Sequence, residues 1–257
     1  MRNALTIAGK ELRSYFVSPI GYVVLTGFLL LGGWFFFNLL SRFNFLLGIY
    51  AAMRDPQLQA QLNLNDAVVA PLLHNLSVVL VILVPMITMR AFAEERRSGT
   101  YELLMTAPLA IWQIVAGKFL AVLAFLLIMI GLTGVYPAVL FVYGNPELGI
   151  VAAGYLGLVL LAVSFATVGL LTSSLTENQI IAAVSCLVTL LLLYIISWPA
   201  DTAGGALGEF LRYLSITEHF GEMVKGVIDT RDLVYFFSVI ALALFLTQRS
   251  VESVRWR

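Results

Sequence analysis

The chain has 257 residues, 60% of them hydrophobic and 12% charged, and its 15 lysines and arginines balance 15 acidic residues to a formal net charge of zero. Soluble domains carry about a quarter charged residues, so an ordinary water-soluble globule is excluded, and a nucleic-acid binder held by phosphate neutralisation is disfavoured. The single cysteine, Cys186, excludes an intramolecular disulfide.

Charge is absent from whole stretches: residues 14–41, 67–89, 119–146, 148–176 and 178–200, and a shorter run, 233–248, between Asp232 and Arg249. Each of the first five exceeds the roughly 20 apolar residues that cross a hydrocarbon core about 30 Å thick. The reading is an all-α integral membrane protein, one domain over 1–257, with six transmembrane helices near 18–41, 67–90, 115–143, 149–172, 179–198 and 232–248.

Ahead of the first span, Leu5, Ala8, Leu12 and Tyr15 form one helical stripe, and Arg2, Thr6, Lys10 and Arg13 another. This predicts an amphipathic interfacial helix in the headgroup plane; with Glu11 among its charges it does not read as a cleavable signal peptide. Trp34, Phe35, Phe36 and Phe37 near the end of span 1 read as lipid-facing or packing aromatics. The polar stretch 42–66 predicts a short helix around 56–64, capped by Asp55 with Pro56 at its first position. Pro71 and Pro85 can kink span 2. The short links Gly144-Asn145-Pro146-Glu147 and 172–179 make spans 3, 4 and 5 packed neighbours, with Gly154, Gly157, Ser164 and Gly169 allowing close approach. Before span 6, one apolar stripe of Leu207, Phe210, Leu211 and Leu214 and another of Phe220, Met223, Val224 and Val227 predict two short helices dipping into the outer leaflet. His219 is expected there as a polar residue at headgroup level rather than a ligand.

Six spans put both termini on one side. That side holds Arg2, Lys10, Arg13, Arg90, Arg96, Arg97, Lys118, Arg249, Arg255 and Arg257, and the other holds Arg42, Arg54, Arg212, Lys225 and Arg231. The positive-inside rule makes both termini cytoplasmic, in a multi-pass protein of the plasma membrane, the inner membrane in a bacterium.

The chain offers little for catalysis. His74 and His219 lack the partners of a zinc site. Glu94-Glu95 begins like the Glu-Glu-x-x-x-Arg motif of intramembrane metalloproteases, but Gly99 stands where the arginine belongs. There is neither a Gly-x-Ser-x-Gly elbow nor a Walker A loop. No catalytic, cofactor-binding or metal residue is expected, and energy from nucleotide must come through another chain. The spans carry no charge at their middles, unlike those of ion-coupled carriers.

The most informative segment runs from Arg90 to Pro108. It reads as a charged helix end, a turn at Gly99, and a second short amphipathic helix stopped by Pro108, which makes it a docking element. Glu94-Glu95, Arg96-Arg97, Ser98-Gly99-Thr100, Glu102-Leu103-Leu104 and Pro108 resemble the coupling region of ABC-2 type permeases of ATP-binding-cassette transporters. Lys10-Glu11-Leu12, continued by Arg13, resembles that family's interfacial helix, and the six spans resemble its membrane domain. The segments 219–220, 226–229 and 232–236 look most like the gliding-motility-type branch.

The resemblance implies a permease subunit, an exporter that pairs with a second permease as a homo- or heterodimer. Separate cytosolic ATPases, which hold ATP and Mg2+, dock on the coupling helix, and an accessory periplasmic or membrane protein is a further partner. Mechanical transmission across the membrane is the alternative to export. For Arg96 and Arg97, topology anchoring is the alternative to ATPase contact. The uncharged spans favour a lipid-linked, amphipathic or polymeric substrate.

Overall fold

The computed structural model describes residues 2–53, 63–101 and 109–254, and among these the chain is helical with no strand. Helix α1 (Arg2–Val17) bends at Ser18 into α2 (Pro19–Met53). A π-helical turn (Asn65–Val69) leads into α3 (Ala70–Thr88), and one residue, Met89, separates it from α4 (Arg90–Arg97). Next come α5 (Ile111–Thr133), α6 (Val135–Tyr143), α7 (Leu148–Leu175) and α8 (Gln179–Ile195). Short helices α9 (Ala200–Ala203), α10 (Gly205–Leu214) and α11 (Ile216–Val224) precede α12 (Thr230–Val254).

Five runs are long and apolar enough to cross a membrane: Pro19–Met53, Asn65–Arg97, Ile111–Tyr143, Leu148–Leu175 and Thr230–Ser253. In the place of the expected fifth span, α8 has 17 residues, about 26 Å at 1.5 Å per residue, short of a core about 30 Å thick. It still links the two ends of the bundle. The Asn178 side chain caps its start by accepting from the amides of Ile180 and Ile181, just past the end of α7. At its other end, the carbonyl of Tyr194 accepts from Thr217 of α11 at 3.3 Å.

One expected boundary moves. Helix α2 has 35 residues, about 52 Å of rise, so Arg42 does not open a loop. Leu46, Leu47, Ala51 and Ala52 favour helix, and the element continues to Met53. Of the helix expected around 56–64, residues 56–62 lie outside the described residues. In α1 the buried line passes through Ala4, Ile7 and Leu12, and Leu5 is exposed. Leu12 and Tyr15 of the expected stripe thus pack inward, and Ala4 and Ile7 take the place of Leu5 where α1 seats on α5.

Helix α7 is the hub: α3, α4, α5, α8, α11 and α12 all pack on it. Its small side chains make this possible. A Cβ at Gly157 would sit 2.9 Å from the Cβ of Met223, so α11 lies directly on the α7 backbone. Between apolar helices in lipid, such close van der Waals contact is a main source of association.

The paired short helices before α12 are present. Phe220, Met223 and Val224 of α11 are buried, whereas Leu207 and Phe210 of α10 are exposed. His219, expected as a polar residue, is buried with Nδ1 2.6 Å from Oδ1 of Asp232. Its Nε2 lies 3.0 Å from the carbonyl of Tyr213, and its ring stacks on Tyr235 at 4.0 Å. An acidic group is thus buried where α12 begins. In sequence Asp232 only flanks an apolar run; in the fold, α11 packs over it.

Candidate functional site

At the end of the bundle opposite α10 and α11, helix α1 lies along the start of α5. A Cβ at Gly117 would fall 2.7 Å from the Cβ of Ile7 and 2.9 Å from the carbonyl oxygen of Ala4, so only glycine lets the two backbones come this close. The amide of Asn3 donates to Gln113 at 3.4 Å in the same seam.

The next residue, Lys118, has a side chain only 3% exposed. Its Nζ donates to Oε1 of Glu11 in α1 at 3.2 Å, lies 2.8 Å from Oε1 of Glu95 in α4, and sits 5.2 Å from the ring centre of Phe92. A buried ammonium is tolerated only when it is paired and hydrogen-bonded, and here the pairing joins three helices.

Helix α4 is held from the other side by α7. Pro85 removes a backbone donor near the end of α3, and four residues later the chain turns at Met89. Ser173 of α7 satisfies that junction: its Oγ donates to the carbonyl of Met89 at 3.0 Å and accepts from the amides of Phe92 and Ala93 at 3.1 and 3.2 Å. Ala91, Phe92 and Ala93 are buried as a result, and Glu94 and Arg97 face outward.

The four charges of the motif therefore divide. Glu95 turns in to Lys118. The Arg96 guanidinium lies 5.0 Å from the ring centre of Tyr101, whose hydroxyl donates to the carbonyl of Val251 in α12 at 3.3 Å. Burial raises the Tyr101 pKa, partly opposed by Arg96. Burial, together with the carboxylates of Glu11 and Glu94, also raises that of Tyr15, which donates to the Ile87 carbonyl. Both hydroxyls stay protonated and act as donors. After Arg97 the chain turns through Gly99 at φ +71°, a conformation that suits glycine. The hydroxyls of Ser98 and Thr100, 2.8 Å apart, both reach the carbonyl of Glu95.

Two adjoining cavities follow these walls. One, of about 290 Å³, is lined by Lys10, Glu11, Ser14, Arg90, Glu94, Glu95, Ser98, Thr100 and Lys118. The other, of about 270 Å³, shares Glu11, Ser14, Arg90 and Glu94 and runs on between Tyr15, Val24, Ile87 and Phe125. The cleft thus brings Lys10 and Glu11 to Glu94, Glu95, Ser98 and Thr100. Leu12 turns into the packed core, while Arg13, Arg97 and Gly99 are exposed outside the cleft. Glu102, Leu103, Leu104 and Pro108 lie outside the described residues.

Sequence reasoning missed Lys118, Ser173 and Tyr101 as members of this site. Lys118 did carry a signal, a lone charge two turns into an apolar helix. Ser173 carried none, because its partners are 80 or more residues away. No three His, Cys, Asp or Glu side chains converge as metal ligands among the described residues.

Compared with known families, residues 5–248 match the profile of one described as ABC-2 family transporter protein. No curated protein matches the chain. The matched range begins within α1, covers the cleft and ends within α12.

Proposed function

The chain belongs to the ABC-2 transporter family, as a permease subunit of an ATP-binding-cassette transporter, and from that premise we propose that the α1–α4–α5 cleft is where the force of a separate ATPase enters the membrane domain. The observation that carries this reading is the division of the α4 charges. Glu95 is locked through Lys118 to α1 and α5, and Glu94 and Arg97 remain exposed to a partner.

A cytosolic ATPase docks on the outward face of α4, on the Ser98-Gly99-Thr100 turn and on Glu102, Leu103, Leu104 and Pro108. Charged groups such as Arg97 supply charge-assisted contacts. Nucleotide-driven closure of the ATPase pair moves α4. Lys118 carries the movement to α1 and α5, and Ser173 carries it to the hub helix α7. ATP and Mg2+ stay with the ATPase.

The permease pairs with a second permease, has both termini in the cytoplasm, and crosses the membrane six times with α8 as a short fifth span. Charge supports the orientation, since Lys10, Arg13, Arg90, Arg96, Arg97, Lys118 and Arg249 gather at the α4 end, against Arg212, Lys225 and Arg231 around α10 and α11. The direction is export, of a substrate with an apolar portion.

Co-expression with the cognate ATPase tests the dock. Replacing Glu102 and Leu103 together by alanine should abolish ATPase co-purification while membrane insertion is retained. Undiminished co-purification together with undiminished transport would defeat the reading.

A further inference from the structure

The deeper of the two cavities has the composition of a lipid-headgroup site. Its mouth carries Arg90, Glu11, Glu94, Ser14 and Ser18, and its far wall is apolar, with Val24, Ile87 and Phe125 buried. At the rim, Val17 and Met86 are 75% and 40% exposed, so on the reading of α2 and α3 as spans the cavity opens sideways into lipid. The Nε of Arg90 is buried without a hydrogen-bond partner among the described residues. Arg90 lines the cavity beside Ser14 and Ser18, so its guanidinium is the cationic group that an anion entering there would meet. A phosphate oxygen is the acceptor that a guanidinium fork suits best.

Phosphate alone would sit poorly beside Glu11 and Glu94. A group with an anion and a hydrogen-bonding cation on one short tether satisfies both signs. We infer that this cavity binds the phosphoethanolamine headgroup of a membrane lipid, its phosphate on Arg90 and its primary ammonium on Glu94 and Glu11. A primary ammonium has three donors for the two carboxylates, a quaternary choline has none, and a glycerol headgroup carries no cation. The volume of about 270 Å³ is that of roughly nine waters, room for a headgroup with the acyl chains left in the bilayer. The lateral apolar opening selects a lipid over a soluble phosphoethanolamine.

This inference rests on the expected placement of α1 in the headgroup plane, and it shares Glu94 with the proposed ATPase dock. The test uses the purified full chain without any ATPase. After reconstitution in bilayers of mixed phosphatidylethanolamine, phosphatidylcholine and phosphatidylglycerol and re-extraction, lipid retained per chain is measured by mass spectrometry. Phosphatidylethanolamine should be enriched at least about fivefold over the other two. Arg90→Gln should remove the enrichment, and Glu94→Gln, at an exposed position that folding tolerates, should equalise the ethanolamine and choline lipids. Retention of all three lipids in bulk proportion, or unchanged selectivity in Glu94→Gln, would overturn the site. In phosphatidylcholine bilayers, binding of soluble O-phosphoethanolamine as tightly as the lipid would overturn the assignment to a lipid, and failure to bind would support it.

Discussion

A single hydroxyl, Ser173 Oγ, accepts from the backbone amides of Phe92 and Ala93 and donates to the carbonyl of Met89. The side chain of the hub helix thereby replaces bonds that the α3–α4 break would leave unmade. Ser173→Ala removes this acceptor and leaves two buried amides unpaired, a loss of about 1–3 kcal/mol of local stability. The change should concentrate in α4. Amide hydrogen exchange should accelerate about tenfold or more at Phe92 and Ala93, with α7 itself unaffected. Equal acceleration throughout α3 would mean that Ser173 holds no local junction.

Lys118 should be the least replaceable charge in the chain. Lys118→Met leaves Glu11 and Glu95, 20% and 18% exposed, facing each other without a cation. Breaking a buried pair costs about 3–5 kcal/mol, and the partial exposure of the carboxylates places this loss near about 3 kcal/mol. The triple variant Lys118→Met, Glu11→Gln, Glu95→Gln should recover most of the thermal stability, because no lone charge remains. It should not recover coupling of ATP hydrolysis to transport, because the link between α1 and α4 is gone. Recovery of both would reduce Lys118 to a structural residue.

The sequence made the spans readable because charge at the middle of a membrane helix is costly, and uncharged stretches as long as 148–176 are what a span requires. Its boundaries were less readable. Arg42 marks the end of apolarity, not of helix, and α2 goes on to Met53. The docking motif was visible as a run of charges. Which of them turn inward was not, since the inward turn of Glu95 depends on Lys118, and that of Arg96 on Tyr101. The pairing of Glu11 with Lys118 spans 107 residues of sequence, and no local pattern encodes a contact of that range. His219 and Asp232 are closer in sequence, but only the fold of α11 back on α12 makes them partners.

At that second pair the two residues should respond unequally to substitution. The Nε2 of His219 faces a carbonyl that can only accept and its Nδ1 faces Oδ1 of Asp232 at 2.6 Å, so a proton stands in each contact; with asparagine at 232, a ring that keeps only the Nε2 proton offers Nδ1 as an acceptor. Asp232→Asn supplies an amide donor to Nδ1 and removes a charge whose Oδ2 is buried without a partner among the described residues, so it should cost less than about 1 kcal/mol. His219→Leu strands the carboxylate, 7% exposed, and should cost about 3 kcal/mol. Thermal unfolding in detergent ranks the two, and an equal loss in both would contradict this assignment of protons.

Gly99 separates backbone from side-chain effects at the proposed dock. A Cβ there meets nothing within 4 Å, yet its φ is +71°, so any penalty on substitution comes from the left-handed backbone alone. For alanine that penalty is about 1–2 kcal/mol, and asparagine visits the region routinely. One or two kcal/mol shifts a two-state population by a factor of about 5–30, enough to misdirect the segment after the turn but too little to unfold five long apolar helices. Gly99→Ala should therefore lower ATPase co-purification several-fold at unchanged expression and thermal stability, and Gly99→Asn should retain most of it. If the two variants behave alike, the positive φ is not what aims the dock, and the exposed charges of α4 must orient the partner by themselves.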